Sequence, residues 1–120
     1  MDDLISEFIT ETTESLAVLD NELVSLEQNP GDTATLSNIF RVMHTIKGTC
    51  GFLGLPRLES VAHASENVLG KIRDKILTAT PQAISLVLES LDHIKGLIDF
   101  LSANGKEPDG SDEALIARLN

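Results

Sequence analysis

Apolar residues recur at three- and four-residue steps along nearly the whole chain, the spacing that lays a stripe down one face of an α-helix. In the first segment the recurring positions are Leu4 or Ile5, Phe8, Thr12, Ser15 or Leu16, Leu19, Leu23 and Leu26, with acids mostly between them. This predicts a helix over about residues 2–28. Asn29-Pro30-Gly31-Asp32 then supplies a stop, a turn and an N-cap in four residues.

A second helix is expected over about 33–52, with Leu36, Ile39, Met43, Ile46 and Cys50 on its stripe and Gly48, Gly51 and Gly54 weakening its end. Pro56 suits the first turn of a third helix, 56–77, whose apolar positions are Leu58, Val61 or Ala62, Leu69, Ile72 and Ile76. Thr80-Pro81 repeats the cap-then-proline signature and opens a fourth helix, 81–104, striped by Ile84, Val87 or Leu88, Leu91, Ile94, Ile98 and Leu101. Ser111-Asp112-Glu113 caps a last short helix, 111–119. Four long amphipathic helices with short connections bury all their stripes as antiparallel neighbours. The expected fold is therefore all-α, an up-down four-helix bundle plus a short C-terminal fifth helix, in one domain over 1–120.

Composition narrows the function. The 120 residues hold nineteen Asp and Glu, nine Lys and Arg and three His, for a net charge of -10, and aromatics are 3 % with no Trp or Tyr. Such a chain lacks the basic stripe and stacking rings that grip nucleic acid, and no nucleic-acid partner is expected. The single Cys50 excludes an internal disulfide framework and makes a cytoplasmic location the expectation. Acid at Asp2 and Asp3 is unlike a basic leader, and no apolar run approaches the ~20 residues of a membrane span, so membrane insertion is not expected.

The charge is unevenly spread. Residues 1–30 carry eight acids and no Lys or Arg, whereas residues 31–75 carry Asp32, Glu59, Glu66 and Asp74 against Arg41, Lys47, Arg57, Lys71, Arg73 and Lys75. The middle of the chain is locally basic.

His44 stands out within that segment. At ~100° per residue the apolar stripe of the second helix centres roughly 120° from it, so the imidazole projects from the polar side. Its neighbours at three and four residues are Arg41, Lys47 and Gly48. A mid-helix glycine costs roughly 1 kcal/mol against alanine, so Gly48 and Gly51 want a reason. Either they admit a packing helix, or they bare the imidazole to a bulky reagent. On the third helix His63 and Glu66 share one side and could reach across to the second. A carboxylate accepting from one imidazole nitrogen fixes the tautomer and leaves the other lone pair free as a nucleophile. The alternative is a surface pair without a role.

Other chemistries fit poorly. The chain lacks the Glu-x-x-His and His-x-x-x-His spacings of metal-binding bundles, and His93 has no partner in sequence. Lys47-Gly48-Thr49 superficially resembles a phosphate-binding loop, but its order is wrong and no strand precedes it. Cys50 falls on the apolar stripe, where a thiol is usually packing.

The segment Phe40-Arg41-Val42-Met43-His44-Thr45-Ile46-Lys47-Gly48-Thr49-Cys50-Gly51-Phe52-Leu53-Gly54-Leu55, joined to Leu58-Glu59-x-Val61-Ala62-His63-x-x-Glu66, resembles the phosphoacceptor region of histidine phosphotransfer (Hpt) domains. It is similar in particular to the N-terminal domain of chemotaxis histidine kinases of the CheA type. The resemblance implies a five-helix domain in which His44 is phosphorylated and Glu66 accepts from its Nδ1-H, leaving Nε2 to attack. It further implies that Lys47 and His63 complete the polar cluster and that Gly48 keeps it open.

It also implies a relay in which the domain is no enzyme by itself and binds no cofactor. A CheA-type kinase catalytic domain, with ATP and Mg²⁺, would phosphorylate His44, and an Asp of CheY-like or CheB-like response regulators, with Mg²⁺, would receive the group. With four helices in one chain the domain is expected to be monomeric. Three other readings stand beside this one: a stand-alone Hpt relay protein, a scaffolding bundle without chemistry, and a metal-binding bundle.

Overall fold

A computed structural model of the chain describes residues 3–29, 31–74 and 80–119. Among these residues there are five helices and no strand: α1 Asp3–Gln28, α2 Thr33–Leu53, α3 Pro56–Arg73, α4 Pro81–Asn104 and α5 Glu113–Leu119. The Ile76 position expected on the third stripe, like Pro30 of the first turn, lies outside the described residues.

Local chemistry sets most of the ends. Asp32 caps α2, its carboxylate accepting from the Thr35 N–H at 3.1 Å and the Thr35 hydroxyl at 2.7 Å. Thr80 caps α4 through the Ala83 N–H at 3.2 Å, and Pro81 follows at the first helical position. At the end of α2 the chain runs helically through Gly48 and Gly51 and stops only at Gly54, in the left-handed region at φ 73°. The Leu55 N–H reaches the Cys50 carbonyl at 2.9 Å and the Gly54 N–H the Gly51 carbonyl at 3.4 Å. This is the Schellman arrangement, with Leu55 and Cys50 buried beneath it.

Two ends depend on distant residues. Leu55 offers no side-chain cap to α3. Instead Glu107, from the α4–α5 connection, accepts from the Arg57 N–H at 3.2 Å and the Leu58 N–H at 2.7 Å. Asp112 stands at the start of α5, where its carbonyl accepts the Ile116 N–H. Its carboxylate does not make the expected cap: Arg57 holds both oxygens, at 2.6 and 3.0 Å, and His93 of α4 shares one. A charged, bidentate partner wins over a single backbone N–H.

The four long helices form an antiparallel bundle. α1 packs on α2 and α4, α3 packs on α2 and α4, and neither diagonal pair makes close backbone contact among the described residues. α2 and α3 make the most extensive contact, and α5 lies over α3 and α4. The core is aliphatic, built on Leu16, Leu19, Leu23, Leu26, Ile39, Met43, Leu58, Leu69, Ile84, Leu91, Ile94 and Leu101. The α2 stripe is buried at all five expected positions. That of α3 is wider than expected and takes in Ala64, Ser65, Glu66 and Val68, because three helices cover it. Leu4, offered as an alternative to Ile5, is exposed, so the α1 stripe begins at Ile5.

Candidate functional site

The close pairing of α2 with α3 decides what His44 meets. His44 lies on the outer side of α2, and its side chain is 62 % exposed. Glu66 projects from α3 into the seam between the helices, with its side chain only 12 % exposed. Its Oε2 stands 3.2 Å from Nδ1 of His44. Lys47, one turn along α2, brings Nζ to 3.2 Å from the same oxygen and 3.4 Å from Oε1. A nearly buried carboxylate thus receives an ammonium and an imidazole edge together, and the ammonium offsets its charge. With Nδ1 as donor, the neutral imidazole keeps its lone pair on Nε2.

Gly48 separates the two expectations for the mid-helix glycines. Among the described residues nothing lies within 4 Å of where a Cβ would stand, so no helix packs into the gap there. The bare backbone lies beside His44 and leaves that flank open. At Gly51 a methyl would contact the Glu59 carboxylate at 3.4 Å, an ordinary contact.

Two polar neighbours take other directions. Arg41 donates to Asn38 at 2.8 Å, and Asn38 donates to Glu22 of α1 at 2.8 and 2.9 Å. Its guanidinium is therefore drawn toward the acidic first helix, away from the role of a second cation beside the imidazole. His63 is exposed and makes no hydrogen bond or ion pair among the described residues. It shares a helix side with Glu66, yet only Glu66 turns into the seam.

Spacing did not single out Phe40, whose ring stacks on the His44 imidazole. An aromatic four residues before a candidate nucleophile was the available signal. His93, which lacked a sequence partner, belongs instead to the Asp112 cluster remote from His44 along the chain. Among the described residues no three His, Cys, Asp or Glu side chains converge as metal ligands. At His44 the third member is Lys47, whose ammonium repels a cation.

The arrangement is an exposed imidazole, tethered at one nitrogen by a carboxylate and flanked by one lysine and a bare glycine. It suits covalent attack by the other nitrogen on an anionic group, and the fold around it has known relatives. The structure superposes on the solution structure of the histidine phosphotransfer domain of CheA with a TM-score of 0.90, at 28 % identity, over 99 % of this chain and 90 % of that one. On the phosphorylated P1 domain of CheA3 in complex with CheY6 from R. sphaeroides the TM-score is 0.88, at 26 % identity, over 99 % of this chain and 94 % of that one.

In sequence, the sensor histidine kinase CheAY of Helicobacter pylori is 39 % identical over 116 residues, which are 94 % of this chain and 14 % of that protein. The chemotaxis protein CheA of Halobacterium salinarum is 32 % identical over 123 residues, covering 100 % of this chain and 18 % of that protein. The chain thus spans less than a fifth of the length of these relatives. The family model described as the Hpt domain matches residues 3–98, which hold His44, Lys47, Gly48 and Glu66 together. That match covers most of the chain, four-helix bundle included, and the chain belongs to the Hpt domain family.

Proposed function

We propose that His44 is the phosphoacceptor of a phosphorelay module that works within or beside a CheA-type kinase. The observation that carries this reading is the 3.2 Å contact between His44 Nδ1 and Glu66 on a mostly exposed imidazole. Nε2 attacks the γ-phosphorus of ATP held by a kinase catalytic domain. The P–N bond forms as the bond from phosphorus to the bridging oxygen breaks, and ADP leaves with that electron pair. Nδ1 keeps its proton, and the positive charge gained by the ring lies against the Glu66 carboxylate. Lys47 neutralises part of the incoming charge, and His63, one turn before Glu66 on the exposed side of α3, is the second group proposed to meet the phosphoryl oxygens.

This chain's residues supply the nucleophile and its orientation. ATP and Mg²⁺ belong to the kinase domain, and a second Mg²⁺ belongs to the receiving response regulator, whose Asp takes the phosphoryl group and returns His44 to neutral imidazole. The matched complex of a P1 domain with CheY6 supports a CheY-like receiver. A CheB-like receiver is the second proposed acceptor. No helix among the described residues is long and apolar enough to cross a membrane, in keeping with work at a cytoplasmic kinase.

The test is incubation of the chain with a CheA-type catalytic domain, Mg²⁺ and γ-³²P-ATP. The expected product is an acid-labile, alkali-stable label that a CheY-like receiver removes. Label persisting in His44→Gln overturns the assignment, and a chain that takes no label is a scaffolding bundle.

A further inference from the structure

Phe40 lies one turn before His44 on α2, and its ring stacks on the imidazole with centroids 6.4 Å apart and planes 14° from parallel. These values are those of an offset-stacked pair. Arg73, in the last turn of α3, sets its guanidinium over the same Phe40 ring at 4.1 Å from the centroid. One turn earlier on α3, Gly70 makes room, since a methyl there would stand 3.3 Å from Cε2 of Phe40. Two residues of α3 thus cradle an aromatic ring of α2, and that ring lies against the imidazole.

We infer that Phe40 is a positioning residue for phosphoryl transfer: its stack sets the plane of the His44 ring, Glu66 sets the ring's edge, and Gly70 and Arg73 hold Phe40 in place. The inference rests on His44 being the phosphoacceptor. Glu66 constrains a single atom, Nδ1. A ring tethered at one atom can still pivot, and a side chain 62 % exposed meets little else that stops it. The Nε2 lone pair lies in the ring plane, so the plane determines the line along which it meets phosphorus. In-line displacement tolerates little tilt. Phe40 exchanges no proton or electron pair in the step; it only sets the angle.

The test compares phosphorylation of the chain by a CheA-type catalytic domain for wild type, Phe40→Leu, Phe40→Tyr and Gly70→Ala, at several chain concentrations, with NMR of the His44 ring protons. Phe40→Leu should lower kcat about tenfold with KM little changed. It should also abolish the upfield ring-current shift of the His44 protons, and Phe40→Tyr should restore both. Gly70→Ala gains about 1 kcal/mol of helix propensity, which offsets the cost of its 3.3 Å contact with Phe40, so it should melt within a few degrees of wild type. It nevertheless pushes on Phe40, and should lower kcat and move the His44 shifts together. This variant keeps the test decisive if Phe40→Leu does not fold.

Wild-type kcat in a folded Phe40→Leu overturns the inference. So does a loss that tracks melting temperature across the variants and is not restored by tyrosine. A wild-type chain that takes no label, or a labelled His44→Gln, overturns the phosphoacceptor reading instead, so the two failures are distinct.

Discussion

Oε2 of Glu66 on α3 stands 3.2 Å from Nδ1 of His44 on α2, across 22 residues of sequence. One end of this contact is almost buried and the other is mostly in solvent. The carboxylate is therefore fixed by its surroundings, and it in turn holds the Nδ1 edge of the imidazole. Glu66→Ala should slow phosphorylation of His44 by tenfold or more, on the order expected when a reacting group loses its orientation. Glu66→Gln, which keeps an acceptor without the charge, should fall between Ala and wild type. Lys47 can turn to water when the carboxylate is gone, so circular dichroism should show a folded bundle melting within a few degrees of wild type. An unchanged rate in Glu66→Ala would remove the orienting role.

Gly48 within α2 and Gly54 just past its end should respond in opposite senses. Gly54 sits at φ 73°, where a Cβ is strained, and Gly54→Ala should cost about 1 kcal/mol and lower the melting temperature. Gly48 is helical with open space around it, so Gly48→Ala should stabilise the domain by up to about 1 kcal/mol. If its bareness serves access to His44, Gly48→Leu should slow phosphorylation while the domain stays folded. Thermal melts and labelling of the three variants check both statements.

Asp112 ties α5 to α3 and α4. Its paired hydrogen bonds with Arg57, aided by His93, hold its carboxyl below the usual carboxylate value of 3.8. A lowered value in the folded state means that the carboxylate stabilises the fold at pH values above 3.8 and that this contribution is lost as pH falls through the lowered value. Docking of α5 should therefore weaken in acid below about pH 4. Asp112→Ala should cost roughly 2 kcal/mol at neutral pH, less than the roughly 3–5 kcal/mol of breaking a fully buried pair because Arg57 is partly exposed. Hydrogen exchange of the α5 amides is the measurement. Wild-type protection in Asp112→Ala would exclude the pair as the fastening.

Cys50 should be inert in the folded protein. Burial pushes its thiol up to about 12, and the carboxylates of Glu107 and Glu59 add to the effect. At pH 8 a disulfide reagent should modify it slowly in buffer and rapidly in urea. The folded state retains the proton while the unfolded thiol ionises near its ordinary 9.0, so stability should fall as pH rises above that value. Fast native modification would show that α2 opens locally around the thiol.

Much of this was legible in the residues. The stripe of α2, the caps at Asp32 and Thr80 and the outward direction of His44 follow from helical period and from side chains that reach a backbone amide three residues away. These forces act within a turn or two, so a linear reading contains all their terms. The Hpt motif placed His44, Lys47 and Glu66 together, and the seam between α2 and α3 brings those three into contact.

Other pairings depended on how each helix is rotated against its neighbours. Arg41 and Lys47 flank His44 in sequence, yet Arg41 is drawn to Asn38 and only Lys47 reaches Glu66. His63 shares a side of α3 with Glu66 but stays outside the seam. Glu107 caps a helix some 50 residues away, and Asp112 leaves its own helix for Arg57, 55 residues distant. Phe40 became a neighbour of the imidazole because α3 offers a glycine to its ring and an arginine above it. By itself the chain determined where most helices begin, which face each one buries and which residues are candidates for chemistry. Only the packed bundle decided which of those side chains meet, because such contacts close over tens of residues, and their geometry is set by the shared core and not by the local backbone.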